Sequence, residues 1–116
     1  MNILEFHEYR ERMNKRILSE DSLTLKRFFH LDSQAYEPRQ LDKKTKELLG
    51  LVASLVLRCD DCVRYHIGES LRAAATPAEI TETFEIGLTV GGSIVIPHLR
   101  RAYEFLDQHL SHDHLV

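Results

Sequence analysis

Apolar residues recur every three to four positions along most of this chain, and no long segment alternates apolar and polar residues as a half-buried strand does. That pattern points to one fold class, all-α. The five glycines and three prolines fall where helices would be punctuated. The spacing predicts a first helix over Ile3–Leu18, with Ile3, Phe6, Met13 and Ile17 on one face. A second covers residues 23–36, with Leu25, Phe28, Phe29 and Tyr36 inward. Asp42 caps a third that runs to about Leu57. A fourth runs from Cys59 to about Ala75, with Val63, Ile67, Leu71 and Ala74 as its core stripe. Thr76-Pro77-Ala78-Glu79 is the clearest helix start in the chain. Thr76 caps, Pro77 takes the first helical position and Glu79 closes a capping box. Gly91-Gly92 ends that fifth helix. The sixth covers residues 93–108, with Val95, Leu99, Ala102 and Leu106 inward and Pro97 in its first turn.

The third helix is apolar on nearly every side through its second half, Gly50-Leu51-Val52-Ala53-Ser54-Leu55-Val56-Leu57. A helix apolar all round is buried all round. In a chain of 116 residues, one domain's worth, this predicts cover from another subunit. The run is too short for a membrane span, which needs about 20 residues. The first eight residues lack a basic region and an apolar core, so no signal peptide is expected. Lys and Arg number 15 against 18 Asp and Glu, a net charge of −3, which gives no reason to expect nucleic acid as a partner. A cytoplasmic protein acting off the membrane is the expectation. The tail from His109 onward, with three histidines, reads as a solvated, loosely ordered end.

Two cysteines are too few for a disulfide-stapled secreted scaffold. Their spacing matters more. Cys59, Cys62 and His66 stand at i, i+3 and i+7, so a helix points all three the same way. A helix N-terminus favours a thiolate, and Arg58 and Arg64 add to that. Asp60 and Asp61 oppose it, leaving the sign of the net shift open. If the third and fourth helices form a hairpin turning near Arg58, Glu47 and His66 differ in height by roughly 4–5 Å, at about 1.5 Å per residue. A Glu47–His66–Cys proton relay is then within reach. Glu47 alone would read as a solvated residue or a partner of Lys43, Lys44 or Lys46. Tyr65, Ser54 and His98 read as structural. Zinc needs four ligands, and Cys59, Cys62 and His66 supply three, so no metal site and no cofactor are expected.

Glu47, Cys59-x-x-Cys62-x-x-x-His66, Gly68 and the Thr76-Pro77-Ala78-Glu79-Ile80 helix start resemble the carboxymuconolactone decarboxylase family, in its alkylhydroperoxidase D-like branch. The resemblance covers about residues 42–105. It implies an all-helical bundle of about six helices that assembles as a homo-oligomer, as dimers, trimers or hexamers. On that basis the chain is a single domain over residues 1–116. Residues 1–40 form an N-terminal extension that the resemblance does not explain, and residues 42–106 form the core. The implied activity is a thiol peroxidase or disulfide reductase, with a hydroperoxide or disulfide as substrate and a lipoyl-bearing or thioredoxin-like dithiol protein as reductant. Cys62 is the implied attacking thiol, Cys59 resolves, and Glu47 with His66 relay the proton. Asp61 stands where the peroxidase carries a histidine. The alternatives are a lactone-processing acid–base enzyme using Glu47 and His66, and a non-catalytic helical assembly.

Overall fold

The computed structural model describes residues 2–115, with side chains as far as Ser111. Among them lie six α-helices, one 3-10 turn and no strand. The helices are α1 (Ile3–Leu18), α2 (Leu23–Ala35), α3 (Lys43–Val56), α4 (Asp60–Arg72), α5 (Pro77–Gly91) and α6 (Ile96–Leu115), with the turn at Ser93–Val95. The starts carry side-chain caps: Asn2, Ser22, Asp42, Cys59 and Thr76 each accept from a backbone N–H three residues on. Thr76 and Glu79 form the reciprocal capping box that the sequence predicts. No helix among the described residues is long and apolar enough to cross a membrane.

The chain divides into two compact units, Met1–Glu37 and Pro38–Val116. In the first, Ile3 and Phe6 are the buried residues of α1. The expected inward face of α2 is not realised: none of its residues is buried, and Phe28 is 68% exposed. Leu25 is also exposed, while Phe29 and Tyr36 are half-buried. Periodicity says which residues share a face but not whether anything covers it, and two helices have little surface with which to cover each other.

In the second unit α3 packs on α4 and α5, and α4 packs on α6. Leu51, Leu55, Val63, Ile67, Ile80, Phe84, Val95, Ala102, Phe105 and Leu106 make the core. Gly87 of α5 lies close under Leu55 of α3: an added Cβ would be 2.7 Å from the Leu55 Cδ2 atom, so that side chain would have to shift. Gly92, at φ +81°, turns the chain out of α5 as the sequence predicts. Lys44 of α3 also bonds Glu79 of α5 at 2.9 Å.

Two further expectations need correction. The α4 helix ends at Arg72, so Ala74 is exposed and off the core stripe. Ala74 adopts φ +71°, donates to the Leu71 carbonyl, and lets Ala75 reach the Ser70 carbonyl at 2.9 Å. This is a Schellman ending, and it leaves Ala75 buried. At the other end of the chain, α6 does not stop near Gln108 but continues to Leu115. Neither glycine nor proline follows Gln108 to end it, and His109 lies against Phe105 with ring centroids 5.0 Å apart. The side chains of His112 and His114 lie outside the described residues.

Candidate active site

Glu47 falls on the inward stripe of α3, in helical phase with Leu51 and Leu55, and is 1% exposed. A carboxylate there must be paired. Its Oε1 lies 2.9 Å from His66 Nδ1, and its Oε2 accepts from Lys43 Nζ at 2.6 Å. The residue is therefore not on a solvated face, although it does pair with Lys43 one turn back. Burial works to raise its pKa. The His66 and Lys43 hydrogen bonds and the nearby positive charge outweigh that and hold the carboxyl below its ordinary value. An ionised Glu47 only accepts, so His66 donates from Nδ1. That leaves Nε2 as the ring atom able to take or give a proton. His66 is itself buried, at 7% exposure, with Tyr65 set edge-on to its ring. Cys62 precedes His66 by one turn of α4, on the same face.

The two cysteines are joined as a disulfide, with Cα atoms 5.3 Å apart. Local backbone geometry places them. The α3 helix ends in another Schellman motif: Arg58 N–H donates to the Leu55 carbonyl and Cys59 N–H to the Ser54 carbonyl, both at 3.0 Å. Arg58 takes the left-handed position, φ 60°, which usually favours glycine. Cys59 then caps α4, its Sγ accepting from the Cys62 N–H at 3.2 Å. The hairpin is thus a two-ended joint: it sets Cys59 and Cys62 at the start of α4, with His66 one turn beyond Cys62 and Glu47 facing His66 from α3.

A second cluster adjoins the pair. Asp60, the first residue of α4, bonds His98 Nδ1 through Oδ1 and Arg101 Nε through Oδ2, each at 2.7 Å. Burial works to raise the Asp60 carboxyl, but these two partners outweigh it and hold it below its ordinary value. With Asp60 ionised, the proton sits on His98 Nδ1. The second guanidinium nitrogen of Arg101, 3.2 Å from that atom, then lies beside the ring without donating to it. From the sequence His98 reads as structural, and nothing there singles out Arg101. Their i, i+3 spacing on α6 shows a shared face, but nothing local marks a carboxylate so far away in sequence as the partner. Ser54 bonds back to the Gly50 carbonyl at 2.7 Å, a role internal to the helix. Among the described residues, no group of three or more His, Cys, Asp or Glu side chains is placed to hold a metal ion.

A sequence profile of the carboxymuconolactone decarboxylase family matches residues 22–105. The chain belongs to this family. The match takes in α2, so the family pattern begins earlier than the residue 42 read from the motifs. Among solved family members, the Thermotoga maritima protein TM1620 is 53% identical over 97% of this chain and 98% of its own, with a TM-score of 0.93. A second structure of that protein, at TM-score 0.90, describes it as a family member with a suggested part in an antioxidative response. The family protein lpg0406 of Legionella pneumophila, at 23% identity and TM-score 0.82, shares the fold. An uncharacterised Cupriavidus necator protein is 29% identical over 73 residues, which span 63% of this chain and 65% of that protein, just under two thirds.

Proposed function

We propose that this family member is a thiol-dependent oxidoreductase that reduces hydroperoxides, or small disulfides, through Cys59 and Cys62. The observation that carries the reading is the cysteine pair at the start of α4, with His66 one turn beyond and the buried Glu47 behind it. In the peroxide reaction the Cys62 thiolate attacks one peroxide oxygen, the O–O bond breaks, and the departing alkoxide or hydroxide takes a proton. Cys62 is left as a sulfenic acid. The Cys59 thiolate attacks that sulfur and water leaves, giving the disulfide. A dithiol reductant, lipoyl-bearing or thioredoxin-like, returns two electrons and two protons and becomes a disulfide itself. His66 carries protons from Nε2, oriented by Glu47 at Nδ1. The antioxidative part suggested for TM1620 agrees with this chemistry.

The proposal extends to assembly with further copies of the chain. Leu49, Ala53 and Leu57 form an exposed apolar stripe on α3, and Ile86 and Val90 form one on α5. The helices meet near these stripes, since a Cβ on Gly91 would lie 3.9 Å from the Val56 Cα atom.

The activity test is peroxide consumption supported by a dithiol, together with intact mass after mild peroxide. Loss of two hydrogens per chain, reversed by dithiol, is expected, with turnover abolished in Cys59→Ser and in Cys62→Ser. Undiminished turnover in the double variant would refute the proposal and favour acid–base chemistry by Glu47 and His66.

A further inference from the structure

Asp60 is the carboxylate next to Cys59 in sequence, and by itself it works against a thiolate there. In the structure that charge is matched. The side chain is 32% exposed, and its two oxygens are taken by His98 and Arg101 from the first two turns of α6. Guanidinium stays protonated at any working pH, so the Asp60–Arg101 pair carries no net charge. As a fastener the pair contributes little, because Arg101 is 46% exposed and solvent screens a pair of that kind. Its field matters more. Without Arg101, an uncompensated negative charge would sit one residue from Cys59. It would lie at the same helix N-terminus whose Cys62 N–H holds the Cys59 sulfur.

We propose that Arg101 is a positioning residue for the redox pair: acting through Asp60, it counterweights the carboxylate beside Cys59 and keeps the thiolate form of that cysteine accessible. This rests on the reading of Cys59 and Cys62 as a redox pair. The counterweight serves both half-reactions. Cys59 must be a thiolate to resolve the sulfenic acid, and a stabilised thiolate is the better leaving group when a dithiol opens the disulfide.

An electrostatic counterweight and a structural clamp differ in sign. Removing either partner breaks a clamp, so Asp60→Asn and Arg101→Gln would move any clamp-dependent property the same way. A counterweight moves the Cys59 thiol in opposite directions. The experiment titrates the Cys59 thiolate by its ultraviolet absorbance in a Cys62→Ser background, with helicity checked by circular dichroism. Arg58, Asp61, Arg64, His66 and His98 are common to all variants, so differences report the exchanged charge.

Arg101→Gln is expected to raise the Cys59 pKa by about half a unit to one unit, a roughly three- to tenfold loss of thiolate at a given pH. Asp60→Asn is expected to lower it, Arg101→Lys to keep most of the parent behaviour, and the double variant to return towards the parent. Shifts of the same sign in Asp60→Asn and Arg101→Gln, or no shift in either, would overturn the proposal. A parallel equilibration of the unsubstituted chain with reduced and oxidised dithiothreitol keeps the two readings apart. If no disulfide forms at any ratio, the redox reading fails, while the titration still decides the counterweight.

Discussion

Removal of the buried Glu47 carboxylate is the sharpest perturbation that this structure allows. The side chain is 1% exposed, and its two oxygens are bound separately, one by His66 Nδ1 and one by Lys43 Nζ. Glu47→Ala takes the acceptor from the buried His66 N–H, which costs about 1–3 kcal/mol. It also leaves the volume of the side chain unfilled beside Leu51. Emptying a buried site of that size costs a further amount of about 2–3 kcal/mol, while Lys43, 44% exposed, turns into water at little cost. Relief from burying the carboxylate offsets part of this, so about 3 kcal/mol is expected. Glu47→Gln is milder. Its carbonyl oxygen keeps an acceptor for His66, and its amide then faces Lys43, whose side chain is 44% exposed and can turn into water. The charge assistance of the His66 bond and the half-exposed Lys43 bond are lost, about 1–2 kcal/mol together. The assay is urea unfolding of the reduced chain at one protein concentration. It is followed by circular dichroism because the sequence contains no tryptophan. A loss below about 1 kcal/mol in Glu47→Ala, or equal losses in Glu47→Ala and Glu47→Gln, would refute the reasoning.

Acid should weaken the fold in a defined direction. Glu47 and Asp60 are held below their ordinary values of 4.5 and 3.8, so their contribution is fully present above those values and is lost as pH falls through the lower folded ones. Urea midpoints should hold steady from neutral pH to about pH 5 and then decline; a midpoint that rises on further acidification contradicts the assignment. Assembly is checked by sedimentation velocity. The particle should exceed the 13.5 kDa of one chain, and Leu57→Asp with Val90→Asp should reduce it to a monomer. A single-chain particle for the unsubstituted protein at micromolar concentration would sink the assembly proposal.

The parts of the fold legible in the sequence are those set by local chemistry. Asp42 and Thr76 mark helix starts because their oxygens meet N–H groups three residues on, an interaction contained within one turn. Glu47 and His66 could be paired from the sequence because one tight turn joins their helices and the helical rise fixes relative height. What required the structure lies further apart or depends on cover. Asp60 finds His98 and Arg101 across a helix crossing that no local pattern encodes. Leu25 and Phe28 share a helical face, but their exposure depends on what lies opposite. Ala74 and Arg58 occupy left-handed positions where a sequence reading looks for glycine, so neither announces the helix end that it makes.

Cys59 closes α3 through its N–H and opens α4 through its carbonyl, which accepts from Val63 at 2.9 Å, and through its sulfur. The backbone bonds that hold this joint do not involve the bond between the two sulfurs. Opening and closing the disulfide would therefore leave the join between the helices intact, and the proposed reaction cycle would require little movement of the chain. A serine at position 59 would keep an oxygen cap for α4 while removing the proposed redox chemistry, whereas an alanine would remove both. The difference between those two variants separates the joint's contribution to folding from the part proposed for it in electron transfer.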